Sequence, residues 1–160
     1  MLISPEMEHA LNQQIGREFG ASLQYTNVAT YFDSENLRLL AKLFHKQSEE
    51  ERQHALKLVD YVVQAGGHVR IPAVEAPQNE FDSAEAAVTL AVDWELRVTD
   101  QINSLMDLAA TKNDHLSQAF LSWFVTEQLE EVSSMTRLLD LVRRAGGNVL
   151  IAEAYLVHGD

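Results

Sequence analysis

Residues 44–62 read FHKQSEEERQHALKLVDYV. Apolar residues bracket a knot of glutamates, glutamine and histidine. Charge on a helix normally faces water. In a left-handed helical bundle, however, a core seam recurs every seven residues, drifting only about 20° per heptad. That step runs Leu37, Phe44, Glu51, Leu58, Ala65. Glu51 therefore sits on the line drawn by four apolar residues. His54, three residues on, shares its face.

The same step through the rest of the chain gives three more lines. They are Leu11, Glu18, Tyr25, Phe32; then Val88, Glu95, Ile102, Ala109; then Phe124, Glu131, Leu138, Ala145. Each is apolar or aromatic except for one glutamate near its middle. Four glutamates buried at one level would repel one another, and each would be stripped of water at large cost. Protonation neutralises one or two of them. A bound divalent ion, or a pair of ions, neutralises all four. Carboxylate oxygens with one imidazole suit Fe2+, Mn2+ or Zn2+. A lone Glu-x-x-His is a weak signal, and Glu6 with His9 is a second one. His9 lies about half a turn off the Glu18 line, so it is read as solvated. What distinguishes Glu51 and His54 is their registration with three other glutamates.

The breaks between helices are few, because the chain holds only three prolines and seven glycines. Ser4-Pro5 is a cap followed by a first-turn proline, and a helix runs from there to about Phe32. Asp33-Ser34 breaks it, and a second runs from about Glu35 to Ala65, ended by Gly66-Gly67. Residues 66–82, with Pro72 and Pro77, read as a long extended connection. Asp82-Ser83-Ala84-Glu85 resembles a capping box that opens a third helix, ending near residues 111–114. A fourth spans about 114–145 and stops at Gly146-Gly147. A short apolar stretch at 149–157 makes a fifth. Helices of about 28 residues are about 42 Å long. Three short links and one long crossover suit an all-α four-helix bundle, one domain over residues 1–160 with the bundle at about 5–145.

The chain also repeats. LVDYVVQAGGHV at 58–69 matches LLDLVRRAGGNV at 138–149, an offset that pairs Glu51 with Glu131 and Glu50 with Glu130. A weaker match pairs Glu18 with Glu95. The bundle is thus read as two helix pairs related by a pseudo-twofold axis.

Composition narrows the class. The net charge is −12, which excludes nucleic acid as a natural partner, since phosphate binding needs a basic face. The absence of cysteine removes disulfides and thiolate metal ligands. No secretory leader or membrane-spanning run is found. The reading is a soluble, cytoplasmic protein.

At these residues the chain resembles the non-haem bacterial ferritins, over essentially its whole length. The resemblance rests on Glu18 with Tyr25, Glu50-Glu51-Arg52-Gln53-His54, Trp94-Glu95, and the run Trp123 to Glu131. Inward glutamates combined with Glu-x-x-His are the mark of ferritin-like di-metal bundles. The resemblance implies Glu18, Glu51 and His54 as ligands of one iron. It implies Glu51, Glu95 and Glu131 as ligands of the other, with Glu51 bridging. Gln128 would approach the second iron or bound oxygen, and Tyr25 would supply an electron from just outside. Glu50, Glu127 and Glu130, sharing Glu131, match an accessory third iron site. The implied function is oxidation of Fe2+ by O2 or H2O2 and storage of ferric mineral in a homo-oligomeric cage of 24 subunits, with the fifth helix at a fourfold axis. The alternative is a non-storing di-iron oxidase or peroxidase of the same class.

Three departures bear on that expectation. Bacterioferritins carry a second Glu-x-x-His on the fourth helix, where this chain has Ser134. Their haem-binding methionine is replaced by Arg52, so no haem is expected. The acidic pore residues of animal ferritins fall at Gln118 and Leu121, which leaves the iron route open. His45, His68, His115 and His158 are read as surface residues without partners.

Overall fold

The computed structural model describes residues 1–158, and the side chain of His158 lies outside that description with residues 159–160. Five helices follow one another: α1 (Pro5–Ser34), α2 (Arg38–Gln64), α3 (Ala84–Thr111), α4 (His115–Ala145) and α5 (Leu150–His158). The first four form the bundle. α1 packs chiefly on α2, and α3 on α4. Cross-pair contacts such as Gln47 to Glu131 and Tyr61 to Ser117 show that α2 and α4 run antiparallel.

The ends of the helices show what local sequence does and does not control. Ser4 caps α1, its Oγ accepting from Met7 N–H, with Pro5 in the first turn. α2 begins three residues later than the sequence suggests. Asn36 takes a left-handed turn at φ 58°, and the cap residue, Leu37, has no side-chain acceptor. The acceptor comes from α5 instead: Glu153 takes the amides of Leu39 and Leu40 at 2.9 and 2.8 Å. The expected box at residues 82–85 is also corrected. Ser83 is the cap and bonds Ala86 N–H, so Glu85 falls one position too early to reach back as its partner.

The crossover, residues 66–83, has no helix of its own. Carboxamides on α1 substitute for a sheet edge and satisfy its backbone. Asn12 donates to His68 O and accepts from Arg70 N–H, while Gln24 donates to Gln78 O and accepts from Gln78 N–H. Pro72 lies against Gly16 so closely that a Cβ there would sit 2.5 Å from the ring.

Every residue on the four heptad lines is buried. Their apolar members fall into two clusters. One gathers Tyr25, Phe32, Phe44, Val88 and Leu138. The other gathers Leu11, Leu58, Ile102 and Phe124. Each large side chain contributes about 1.5–3 kcal/mol by leaving water. The four glutamates lie at the level that divides the two clusters.

Candidate metal centre

One glutamate from each bundle helix reaches this level. Glu18 and Glu95 are fully buried, Glu51 is 1 % exposed, and Glu131 is 6 % exposed. His54 is buried with them and brings Nδ1 to 3.1 Å from Glu51 Oε2 and 3.9 Å from Glu18 Oε2. Potential ligand atoms of Glu18, Glu51 and His54 all lie within 4.8 Å of one another. Those of Glu51, Glu95 and Glu131 meet the same limit. Two overlapping groups therefore share Glu51, which stands between them.

The electrostatics follow from this crowding. Burial holds Glu18 well above the usual carboxylate range, and the neighbouring Glu51 pushes the same way. Glu51 is raised by burial and then by Glu95. Glu95 is raised chiefly by burial. Glu131 is pushed up to about 7 by burial and the Glu95 charge. Without a cation the four cannot all ionise. A polar atom is also left over: Glu18 Oε2 is buried and has no hydrogen-bond partner, although buried carboxylate oxygens normally find one. A cation facing that oxygen and the His54 ring satisfies it. The donor set, oxygens plus one imidazole, fits iron, manganese or zinc.

The residues placed near the centre by sequence fall as follows. Tyr25 is fully buried and donates its hydroxyl to Glu95 Oε1 at 2.5 Å. Burial and then Glu95 hold its pKa well above 10. Gln128 donates to the Glu95 carboxylate and to Thr99 Oγ1, both at 3.2 Å, so it orients Glu95. Glu127 lies 3.8 Å from His54 Nε2, and ligand atoms of His54, Glu127 and Glu131 form a third close group. Glu50 and Glu130 do not join it: Glu50 pairs with Lys46 at 3.6 Å, and Glu130 is exposed. His9, His68 and His115 are exposed, as the sequence suggests. His45 is exposed too, and two of these histidines have partners not expected from the sequence: Asp33 Oδ2 lies 3.0 Å from His45 Nε2, and Gln118 Oε1 lies 3.1 Å from His115 Nδ1.

Two further residues of the centre were not singled out by sequence. Gln14 donates to Glu18 Oε1 at 2.8 Å. Gln47 donates to Glu51 Oε1 at 3.2 Å and to Glu131 Oε2 at 2.5 Å. The available signal was spacing, since each glutamine stands four residues before its glutamate, one turn away on the same face. At the open side, Trp123 meets the edge of His54 at 5.4 Å between centroids, and Lys57 Nζ sits 3.8 Å over the indole.

A bundle of this topology with this buried carboxylate set is the ferritin-like class. The ferritin-like domain family matches residues 8–145. Over 149 residues the chain is 44% identical to ferritin BfrB of Mycobacterium tuberculosis, covering 92% of this chain and 82% of that protein. It is 33% identical to a bacterial non-heme ferritin of Staphylococcus epidermidis, covering 91% and 87%. The fold superimposes on an open pore ferritin from the archaeon Archaeoglobus fulgidus with a TM-score of 0.94 at 35% identity, covering 97% and 96%. The chain belongs to the ferritin family.

Proposed function

We propose that this chain oxidises Fe2+ at the buried centre and stores the ferric product inside a cage of its own copies. One observation carries the reading: two ligand groups share Glu51 between two apolar clusters. Glu18, Glu51 and His54 bind the first iron. Glu51, Glu95 and Glu131 bind the second, with Gln128 and Tyr25 fixing Glu95. Fe2+ is the substrate here. Two ions held together can each give up one electron to a two-electron oxidant, O2 or H2O2. The raised pKa values mean that ion binding expels protons from the carboxyls before oxidation begins. Glu127 and Glu131, which form a third close group with His54, are proposed for a third ion, with Glu50 and Glu130 as the acidic face outside it.

Self-association is supported by α5. Its residue Ala152 is buried against the bundle and Glu153 is tied to α2, yet Leu150, Ile151, Tyr155 and Val157 are all more than half exposed. Such an apolar face suits contact between copies. We infer an assembly of 24 subunits in the cytoplasm. No described helix is long and apolar enough to cross a membrane.

The test is to add Fe2+ in air at some hundreds of ions per chain and resolve the product by size. Many irons per chain co-eluting at very high mass support storage. About two irons per chain at low mass would leave the centre standing and make the protein a non-storing di-iron oxidase.

A further inference from the structure

We propose that Gln47 is the positioning residue of the second iron position, acting by drawing Glu51 and Glu131 together. This rests on the reading of the four glutamates as the ligand set. The two carboxylates come from α2 and α4, and like charges on facing helices push apart unless something stands between them. Gln47 Nε2 carries two hydrogens and gives one to each, at 3.2 and 2.5 Å. Both acceptors belong to the group that would bind the second ion, and Gln47 is itself only 7 % exposed, so water does not compete for it.

The first position is held differently. Gln14 donates to Glu18 but to no second carboxylate, and no described amide spans Glu18 and Glu51. Its Oε1 accepts from Arg17 at 3.3 Å, which turns the amide nitrogen inward. The two glutamines thus act on different positions although each precedes its glutamate by one turn. An amide suits the task for a chemical reason. It donates N–H groups without carrying charge. A lysine or arginine at residue 47 would gather the same carboxylates but would occupy the ion's place and repel it. Each carboxylate keeps one oxygen for its glutamine and has the other free to meet an ion or His54. Partners of this kind, one bond removed from a metal, typically change its affinity by about 10- to 100-fold.

The experiment titrates the full-length assembly with Zn2+, which cannot be oxidised, and resolves stepwise affinities by calorimetry. The variants are Gln47→Met and Gln14→Met, which keep chain length and remove the amide. Circular dichroism and thermal unfolding report folding, and Gln47→Leu replaces Gln47→Met if the latter does not fold. The proposal expects Gln47→Met to weaken one of two steps by about tenfold or more, leaving the other within about twofold. Gln14→Met should weaken the other step instead. Equal loss in both steps, or none, in the folded Gln47 variant overturns the positioning role. A parent protein that binds no ion at the buried set overturns the ligand assignment itself, and the positioning role with it.

Discussion

The α1–α2 pair and the α3–α4 pair are built on one plan and equipped differently. Each is a long hairpin with one buried glutamate per helix, and the AGG ends of α2 and α4 fall at equivalent places. The chemistry is not shared equally. The first pair alone holds a complete group, Glu18, Glu51 and His54. The second pair contributes Glu95 and Glu131 but no imidazole, because the equivalent of His54 is Ser134, which is exposed. The second group closes only by borrowing Glu51. A duplicated backbone thus carries two unlike candidate ligand groups, and the difference rests on a few side chains rather than on the fold.

The largest effect should come from the residue that both groups share. Glu51→Ala is expected to slow Fe2+ oxidation by about 100-fold or more, because neither position survives to hold a pair. Stopped-flow absorbance of the ferric product would measure this, and a rate near the parent's would break the assignment. Next come the changes confined to one pair. His54→Ala and Glu131→Ala should each reduce tight Zn2+ binding from about two ions per chain to about one, as counted by equilibrium dialysis. If both variants lose the same ion, the two halves are not distinct.

A third prediction concerns pH in the ion-free protein. Glu131 has a pKa of about 7 in the fold against an ordinary 4.5, so the folded state favours its protonated form. That contribution is present below pH 4.5 and is lost as pH rises to 7, about 3 kcal/mol at most. Unfolding by denaturant should therefore show the ion-free protein losing stability across this window. A saturating divalent ion should remove or reverse the trend. The smallest effect should come from the strut that crosses between the pairs. α5 follows α4 and caps α2 through Glu153. Glu153→Ala should cost about 1 kcal/mol, a fall of about 2–4 °C in Tm, with oxidation rate unchanged. Calorimetry on the assembled protein would detect it.

Much of this was legible in the sequence because the heptad step is a strong, repeated signal. All four lines proved buried along their whole length, and the four glutamates they carry converge. Gln14 and Gln47 were not legible in the same way. The significance of Gln47 lies in its reach to Glu131, 84 residues away, and its spacing from Glu51 does not reveal that reach. The start of α2 failed for a related reason, since its cap is supplied by Glu153 from the far end of the chain. Glu50 and Glu130 share the repeat with Glu51 and Glu131. Position in a repeat, though, does not tell which of two adjacent glutamates turns inward.

The most direct test of two unlike positions sharing one carboxylate is anomalous diffraction from crystals soaked anaerobically in Fe2+. The account predicts two iron peaks per chain, one among Glu18, Glu51 and His54 and one among Glu51, Glu95 and Glu131, with Glu51 contacting both. A single peak, or iron confined to the exposed acidic surface, would contradict it.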